Sequence, residues 1–282
     1  MIHTVRNILA LLCLSLTAAA HGAVANSKPA LPQWAVLEFE ERAFWATAKS
    51  RLELQPASDD ELWEFRVASS VVGNSEEMTV DFDPIDGSVL KRVRLSKGKK
   101  GKEQRLKSFE YQPEAIVRER RNPGDNPDGA PEDWPLTSRM DVNYPESASE
   151  FVVTNPHLLI LLAERLQAQG PGASQEVLVH TDRNFYRVRM TTGNGIPIDA
   201  SYGVSGDSSF SGKRDTMAVA LQVDPEGQLA EKPDFSVLGL SGDIILFFDK
   251  VTGLPLQVRG TAPRIGDTDI NLKSVTLRHT ER

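Results

Sequence analysis

TNPHLLILLAERLQAQGP, at residues 154–171, is the stretch of the sequence that decides the fold. Asn155, or Thr154 before it, has a side chain suited to cap the free amide groups at the start of a helix. Pro156 has the backbone angle of a first helical turn, and the Gly-Pro pair at 170–171 ends the run. These signals predict one long helix near residues 155–169.

The predicted helix is apolar around its whole circumference in the first turns, because residues 158–162 are all leucine or isoleucine. Its last turns are half polar, with Glu164, Arg165 and Gln167. A helix with this pattern is covered on several sides by protein or by a ligand. We therefore expect the rest of the chain to pack around it.

Most of the remaining chain alternates between apolar and polar residues, which is typical of strands. Trp63, Phe65 and Val67, for example, are separated by polar residues, and a last strand is predicted from Asp269 to His279. Short turns such as DPIDG separate consecutive runs, as in an antiparallel meander. The sequence thus predicts a mainly β fold, an antiparallel curved sheet or unclosed half-barrel wrapped around one apolar helix. Residues 26–282 are expected to form a single domain.

Three connections have distinctive compositions. The block from Arg121 to Glu150 holds many turn-forming residues and predicts a long irregular loop. Trp134 lies within it, where a tryptophan either closes a cavity as a lid or pins the loop to the surface. GVSGDSSFSGKR, at 203–214, predicts turns and a mobile loop, and residues 250–253 predict a hairpin loop.

The N-terminus has the features of a secretory signal peptide over residues 1–25. Arg6 precedes a short apolar run, and Ala23 and Ala25 form a small-residue cleavage site before Asn26. No later apolar segment approaches the roughly 20 residues of a transmembrane helix. We therefore expect an exported protein of the periplasm without a transmembrane span.

Charge and cysteine content exclude several classes of function. Without residues 1–25, the 32 basic residues become 31 against 39 acidic ones, a net charge of −8, which argues against a nucleic-acid binder. Cys13 is the only cysteine and lies in the signal peptide. The mature chain therefore has no disulfide, no thiol nucleophile and no cysteine ligand for a metal.

The sequence lacks the common catalytic motifs: there is no HExxH, no GxSxG, no Walker loop and no dinucleotide fingerprint. His157, His180 and His279 are scattered without the spacing of metal ligands. We expect no cofactor and no metal site, and an enzyme is the less favoured interpretation.

The order of elements resembles a known periplasmic family. VDFDPIDGSV in the first meander, NPHLLILLAERL at the helix and the hairpin DKVTGLP at Asp249 to Pro255 are similar to the family of unknown function of the DUF3108 type. More broadly, the arrangement resembles the half-barrel of the lipoprotein carriers LolA and LolB. The resemblance implies an incompletely closed sheet around a helix, with an apolar concave face that accepts acyl chains.

These observations lead to a predicted binding function for lipid or another apolar ligand in the concave cleft. The ligand is expected between the helix and the sheet, beneath the long loop, and the candidate ligand-binding residues are Trp63, Phe65, Trp134, Leu158, Leu162, Tyr186 and Val188. The same residues serve equally well as a closed core. Two alternatives stay open: an envelope scaffold or assembly factor that binds a protein partner without a ligand, and an unrecognised hydrolase.

Overall fold

The computed structural model describes residues 31–43, 46–58, 61–99, 103–206, 208–230 and 232–278. The predicted signal peptide and His279 lie outside these ranges. Within them the chain forms seventeen strands and one α-helix. No helix in the described ranges is long and apolar enough to cross a membrane.

The strands are, in chain order, β1 (Trp34–Ala43), β2 (Ala46–Pro56), β3 (Trp63–Val71), β4 (Asn74–Phe82), β5 (Val89–Lys97), β6 (Arg105–Tyr111), β7 (Ala115–Arg121), β8 (Leu136–Asn143), β9 (Val153–Thr154), β10 (Ser174–His180), β11 (Phe185–Asn194), β12 (Ile198–Val204), β13 (Ser208–Arg214), β14 (Thr216–Pro225), β15 (Ser241–Asp249), β16 (Pro255–Ala262) and β17 (Gly266–Leu277). The helix α1 spans Leu159–Gln167.

The strands form one large, curved and unclosed sheet. Each of β1–β8 is antiparallel to the next, so the first half of the chain is a meander. β1 also pairs with β17, from which β16, β15, β14, β11 and β10 continue in antiparallel order. The short β9, parallel to β10, lies at one end of the sheet and β8 at the other. This arrangement confirms the predicted half-barrel.

The predicted mobile loop at 203–214 is wrong, because most of this stretch belongs to the hairpin β12–β13. Tyr202 and Phe210 face each other across the hairpin with their ring centroids 5.4 Å apart, and the Arg214 guanidinium carbon lies 3.7 Å from the Phe210 ring centroid. These contacts favour strand pairing despite the serine and glycine content. β12 also pairs in parallel with the end of β17.

The predicted irregular loop from Arg121 to Glu150 is also wrong in part, because β8 lies inside it. β8 pairs with β7 along its length, and its side chains are alternately exposed and half-buried. An edge strand with one neighbour needs little apolar character, so LTSRMDVN carried no strong strand signal.

The helix lies where the sequence predicted it but is shorter. Its first turn is a 3-10 turn at Pro156–Leu158, and α1 proper begins at Leu159. The predicted cap is confirmed, because the Asn155 side-chain oxygen accepts a hydrogen bond of 2.9 Å from the backbone amide of His157. Gly170 has a φ of +92°, a conformation that follows many helix ends.

The concave side of the sheet packs around this helix. Residues 158–163 and Leu166 are at most 3% exposed, so α1 is buried on nearly every side. They form one apolar cluster with residues from both halves of the sheet, such as Phe65, Val80, Val188 and Leu246. The prediction that the helix is the packing centre is therefore confirmed.

The DPIDG turn between β4 and β5 contacts the helix and the short strand before it. The Thr154 hydroxyl donates to the Gly87 carbonyl at 2.9 Å, and the Arg165 guanidinium donates to the Pro84 carbonyl at 2.7 Å. Gly87 has a φ of +86°, and a Cβ there would lie 2.8 Å from a Leu162 methyl group. The turn therefore needs glycine for both its conformation and its close approach to α1.

Glu164 is the one acidic side chain on α1, and it points toward Trp34 of β1. The Trp34 indole nitrogen donates to the Glu164 carboxylate at 2.8 Å. Burial raises the pKa of Glu164 to about 7, although the hydrogen bond from Trp34 and the charge of Arg165 act in the opposite direction.

Glu164→Gln should change how stability depends on pH. Because the folded-state pKa of Glu164 is above its unfolded value, the folded protein binds the extra proton, and stability falls as pH rises from about 4.5 to 7, by up to about 1.4 kcal/mol for each pH unit. Glutamine keeps an acceptor for Trp34 but carries no charge. Urea unfolding at pH 5 and pH 8 should show the variant more stable than wild type at pH 8 and little changed at pH 5. Equal differences at both pH values would contradict the titration of Glu164.

Candidate functional site

Six of the seven residues predicted to bind a ligand meet in the core around α1. They are Trp63, Phe65, Leu158, Leu162, Tyr186 and Val188, each at most 3% exposed and all in one apolar cluster. Their side chains already fill the space between helix and sheet. Two surface grooves, of about 350 and 220 Å³, are lined by none of them.

Trp134 is separate from the other six. It is 3% exposed, but its indole nitrogen donates to the Gly129 carbonyl at 3.1 Å, and its own carbonyl accepts from Arg121 at 3.1 Å. Both partners belong to the same connection or to β7. The tryptophan thus holds its own loop against the last strands of the meander.

The most unusual chemistry lies where the two ends of the sheet approach each other. The inner face of β5–β7 meets the turn between β10 and β11 there, through the side chains that we call the closing cluster: Arg92, Lys107, Arg118, His180 and Asp182. Strand register places Arg92 and Arg118 on the same face as the buried Val80, toward the helix side of the sheet.

Arg92 is a buried cation that contacts carbonyl groups. It is 3% exposed and donates to the His180 carbonyl at 2.9 Å and to the Thr181 carbonyl. Its guanidinium carbon lies 3.9 Å from the centroid of the Phe109 ring, a cation–π contact. Burial lowers the pKa of Arg92. No carboxylate in the described part of the chain forms an ion pair with it, and its Nε atom has no hydrogen-bond partner there.

Asp182 holds the other two cations of the closing cluster. Arg118 reaches both of its carboxylate oxygens, at 2.8 and 3.1 Å, and Lys107 donates to one of them at 2.6 Å. Burial by itself raises the pKa of Asp182, but the hydrogen bonds from Arg118 and Lys107 hold it well below its usual range. Asp182 is therefore ionised and joins β6 and β7 to the end of β10.

His180 completes the cluster as a neutral side chain. It is fully buried among Phe109, Tyr111 and Phe185, and its Nδ1 atom lies 3.0 Å from the Tyr111 hydroxyl. Burial, and then the charge of Arg92, lower the pKa of His180 well below its ordinary value. An imidazole that resists protonation this strongly suits a structural role better than proton transfer near neutral pH.

Beside the closing cluster, the inner face of the sheet continues as a more open basic surface. Arg94 is opposite Met78 and Lys107 in the strand register, and it forms an ion pair of 2.5 Å with Glu76. The Arg94 side chain is 36% exposed. His157 lies close enough for burial and the charges of Glu76, Arg94 and Arg92 to set its pKa, which burial lowers to about 4.

Three buried nitrogen atoms on this surface have no hydrogen-bond partner within the described residues: Nε of Arg92, Nε of Arg94 and Nδ1 of His157. Buried polar groups are nearly always hydrogen-bonded, so such a group is left for a water molecule or a ligand. Four cations, Arg92, Arg94, Lys107 and Arg118, stand against three carboxylates: Glu76 and Asp182, which pair with the last three cations, and Asp234, whose charge acts on Arg92. The surface therefore favours an anion.

The surrounding strands carry the same sign of charge. β5–β8 contain ten lysine and arginine residues against three aspartate and glutamate residues, a net charge of +7. The whole chain has a net charge of −7. A basic end on an acidic protein attracts anionic partners and orients their approach.

A β-bulge explains why alternation did not reveal this site. VLKRVRLSK in β5 suggests that Val93 and Leu95 face inward and Arg92 and Arg94 outward. The register between β4 and β5 shifts after Val89, and the extra residue reverses the pattern. The arginines consequently face the inside of the sheet, opposite Val80 and Met78.

The described residues contain no group of three or more histidine, cysteine, aspartate or glutamate side chains that could hold a metal ion. The Thr181 hydroxyl, in the turn of the closing cluster, donates to the Asn184 carbonyl and to the Asp234 carboxylate. The chemistry of the closing cluster is that of fixed cations able to bind an anion.

Comparison with known proteins gives little further information. No family model matches the chain. No curated protein matches it. A crystal structure described as a beta-barrel-like protein of domain of unknown function DUF1849 from Brucella abortus is similar over 88% of this chain and 100% of that chain, with a TM-score of 0.47 and 10% sequence identity. This neighbour represents a different domain of unknown function from the DUF3108 type.

Asp182→Asn should destabilise the closing cluster. The change leaves the buried Arg118 without a charged partner, which costs about 3–5 kcal/mol. Because the folded-state pKa of Asp182 is below its unfolded value of about 3.9, its contribution is present above that pH and is lost as pH falls. Urea unfolding at pH 7 measures the loss, with Asp199→Asn, at an exposed position of β12, as the matched control. Equal stability of the two variants would show that the cluster does not hold the sheet ends together.

Proposed function

We propose that this is an exported, non-enzymatic binding protein whose ligand carries an anionic group. The group binds on the inner face of β5–β7, at Arg92, Arg94 and Lys107. The observation that carries the proposal is the presence of buried, cationic donors with unused hydrogen-bonding capacity beside a partly exposed surface.

The ligand chemistry follows from the donors. Arginine guanidinium groups recognise phosphate and carboxylate oxygens with directed hydrogen bonds, and partial burial strengthens each of these contacts. Lys107 adds a compact charge, 17% exposed at its side chain, at the boundary of the closing cluster. A phosphate, either free or in a lipid head group, fits this donor set.

The apolar cleft expected from the sequence has less support. A lipid chain between α1 and the sheet would have to displace side chains such as Leu158, Leu162 and Val188, which are nearly completely buried. An anionic lipid bound by its head group, with its chain outside the packed interior, needs no such displacement. This form of lipid binding is therefore the one we retain.

Export is part of the proposal and rests on the signal-peptide pattern of residues 1–25. Mass spectrometry of a periplasmic extract tests it directly. A mature N-terminus at Asn26 supports a periplasmic location, and recovery of the uncleaved chain would contradict it.

Arg94→Gln should weaken anion binding without unfolding the protein, because Arg94 is partly exposed. Calorimetric titration with inorganic phosphate should show at least a roughly tenfold loss of affinity, equivalent to about 1.4 kcal/mol. Arg66→Gln removes the same charge from a side chain that is 52% exposed on the other face of the sheet, and it should bind as wild type does.

Vesicles separate the possible sources of the anion. Binding to phosphatidylglycerol vesicles but not to phosphatidylcholine vesicles assigns a lipid head group, and binding of phosphate alone assigns a free anion. Wild-type protein that binds neither would contradict the proposal. Uptake of a fluorescent fatty acid that is equal in wild type and Arg94→Gln would instead restore the cleft around the helix.

A further inference from the structure

β8 is the last strand of the sheet, and one of its two edges is open. It pairs with β7 on one side, and no second strand pairs with it within the described ranges. Its eight residues extend from Leu136 to Asn143, and five of its eight side chains are exposed. An open edge of this length offers backbone donors and acceptors to another strand.

The hairpin geometry shows which backbone groups face this open edge. Gln112 donates its amide to the Ala115 carbonyl, so Ala115 points its backbone groups toward β6, and successive residues of β7 alternate. Arg118 and Arg120 then point toward β8, as Asn122 does through its bond to the Pro135 carbonyl. Their register partners in β8 are Met140 and Ser138, whose backbone groups point back to β7.

The residues between these partners must therefore point away from β7. Thr137 lies at the register shift between β7 and β8 and donates its hydroxyl to the Arg120 carbonyl, so the outward residues are Arg139, Asp141 and Asn143. No other segment of the described chain makes a backbone hydrogen bond to them. Arg139 and Asp141 have opposite charges.

We propose that this edge pairs with the same edge of a second copy of the chain, antiparallel and centred on Met140. In that register Arg139 of each copy lies opposite Asp141 of the other. Opposite charges directly across an antiparallel pair are favourable, and the two-fold arrangement forms this pair twice. The two Arg139–Asp141 pairs can together exchange about four backbone hydrogen bonds.

The neighbouring registers are disfavoured by the same charges. A shift that keeps the outward residues paired places Arg139 opposite Arg139, or Asp141 opposite Asp141, and like charges directly opposite each other are destabilising. Charged residues on an edge strand usually prevent association. Here two charges of opposite sign, two residues apart, select one partner strand, and that strand is β8 itself.

The exposure of the Arg139 side chain is consistent with this pairing. Arg139 is 62% exposed at its side chain and forms an ion pair of 3.1 Å with Glu119 on the β7 side. It can therefore contact Asp141 of the second copy with little rearrangement. Pairing would also align the basic inner faces of two copies, but it does not depend on anion binding.

The test uses charge reversal and mixing. Analytical ultracentrifugation of the full mature chain should show a wild-type dimer with a micromolar dissociation constant. Arg139→Glu alone and Asp141→Arg alone should each be monomeric at the same concentrations, because each places like charges opposite each other. An equimolar mixture of the two variants should recover the dimer, since both contacts between unlike copies are then attractive.

Two further variants separate pairing from misfolding. Arg139→Pro removes an outward amide and should abolish the dimer, whereas Arg66→Gln should leave it unchanged, and circular dichroism establishes that each variant is folded. A wild-type protein that stays monomeric to millimolar concentration would overturn the proposal. Dimers that persist in both single variants, or folded single variants whose mixture stays monomeric, would overturn it equally.

Discussion

The constraint on which this structure depends is the burial of a helix that is apolar on nearly every side. A single sheet face covers only one side of a helix, so a mostly antiparallel sheet must curve around α1 to remove residues 158–163 from water. The curvature brings strands from both halves of the chain into one cluster. The DPIDG turn then fixes the helix through contacts with Thr154, Leu162 and Arg165.

A sheet that curves this far without closing brings its two ends near each other with no backbone ladder to join them. The ends meet through side chains instead, and these side chains are charged. Arg92 donates to the backbone carbonyls at the end of β10, and Asp182 accepts from Arg118 and Lys107. Buried ion pairs are costly to form, but they define one geometry for the groups that they join. Arg92, one of these cations, also has an unused hydrogen-bond donor at the neighbouring surface. It therefore both joins the ends of the sheet and contributes to the proposed anion site.

The sequence predicted the parts of the fold that rest on local patterns. The position of the helix was predicted from the cap at Asn155, the apolar run that follows and the glycine at the end. The first turn, however, is a 3-10 turn. Alternation gave the strands of the meander, and the turn-forming residues gave the DPIDG turn. Strands with weak patterns were missed: β8 has one neighbour and needs few apolar residues, and β13 is held by the contact between the Tyr202 and Phe210 rings.

The candidate site depends on features that no local pattern records. A bulge near Val89 turns Arg92 and Arg94 inward, against the expectation from alternation. The distance between Asp182 and Arg118 along the chain is 64 residues, so their contact follows only from the curvature of the whole sheet. The apolar residues that were expected to bind a ligand do meet, but they meet as a packed core.

We propose that an anion binds the cations on the inner face of β5–β7 and leaves the helix core unchanged. The most direct measurement is a nuclear magnetic resonance titration with inorganic phosphate that follows the arginine Nε–H signals and the backbone amides. If phosphate binds there, the Nε–H signals of Arg92 and Arg94 shift together with the amides of β5 and β6, while the amides of α1 stay in place. Shifts concentrated in α1, or no shift at Arg92 and Arg94 at saturation, would contradict the proposal.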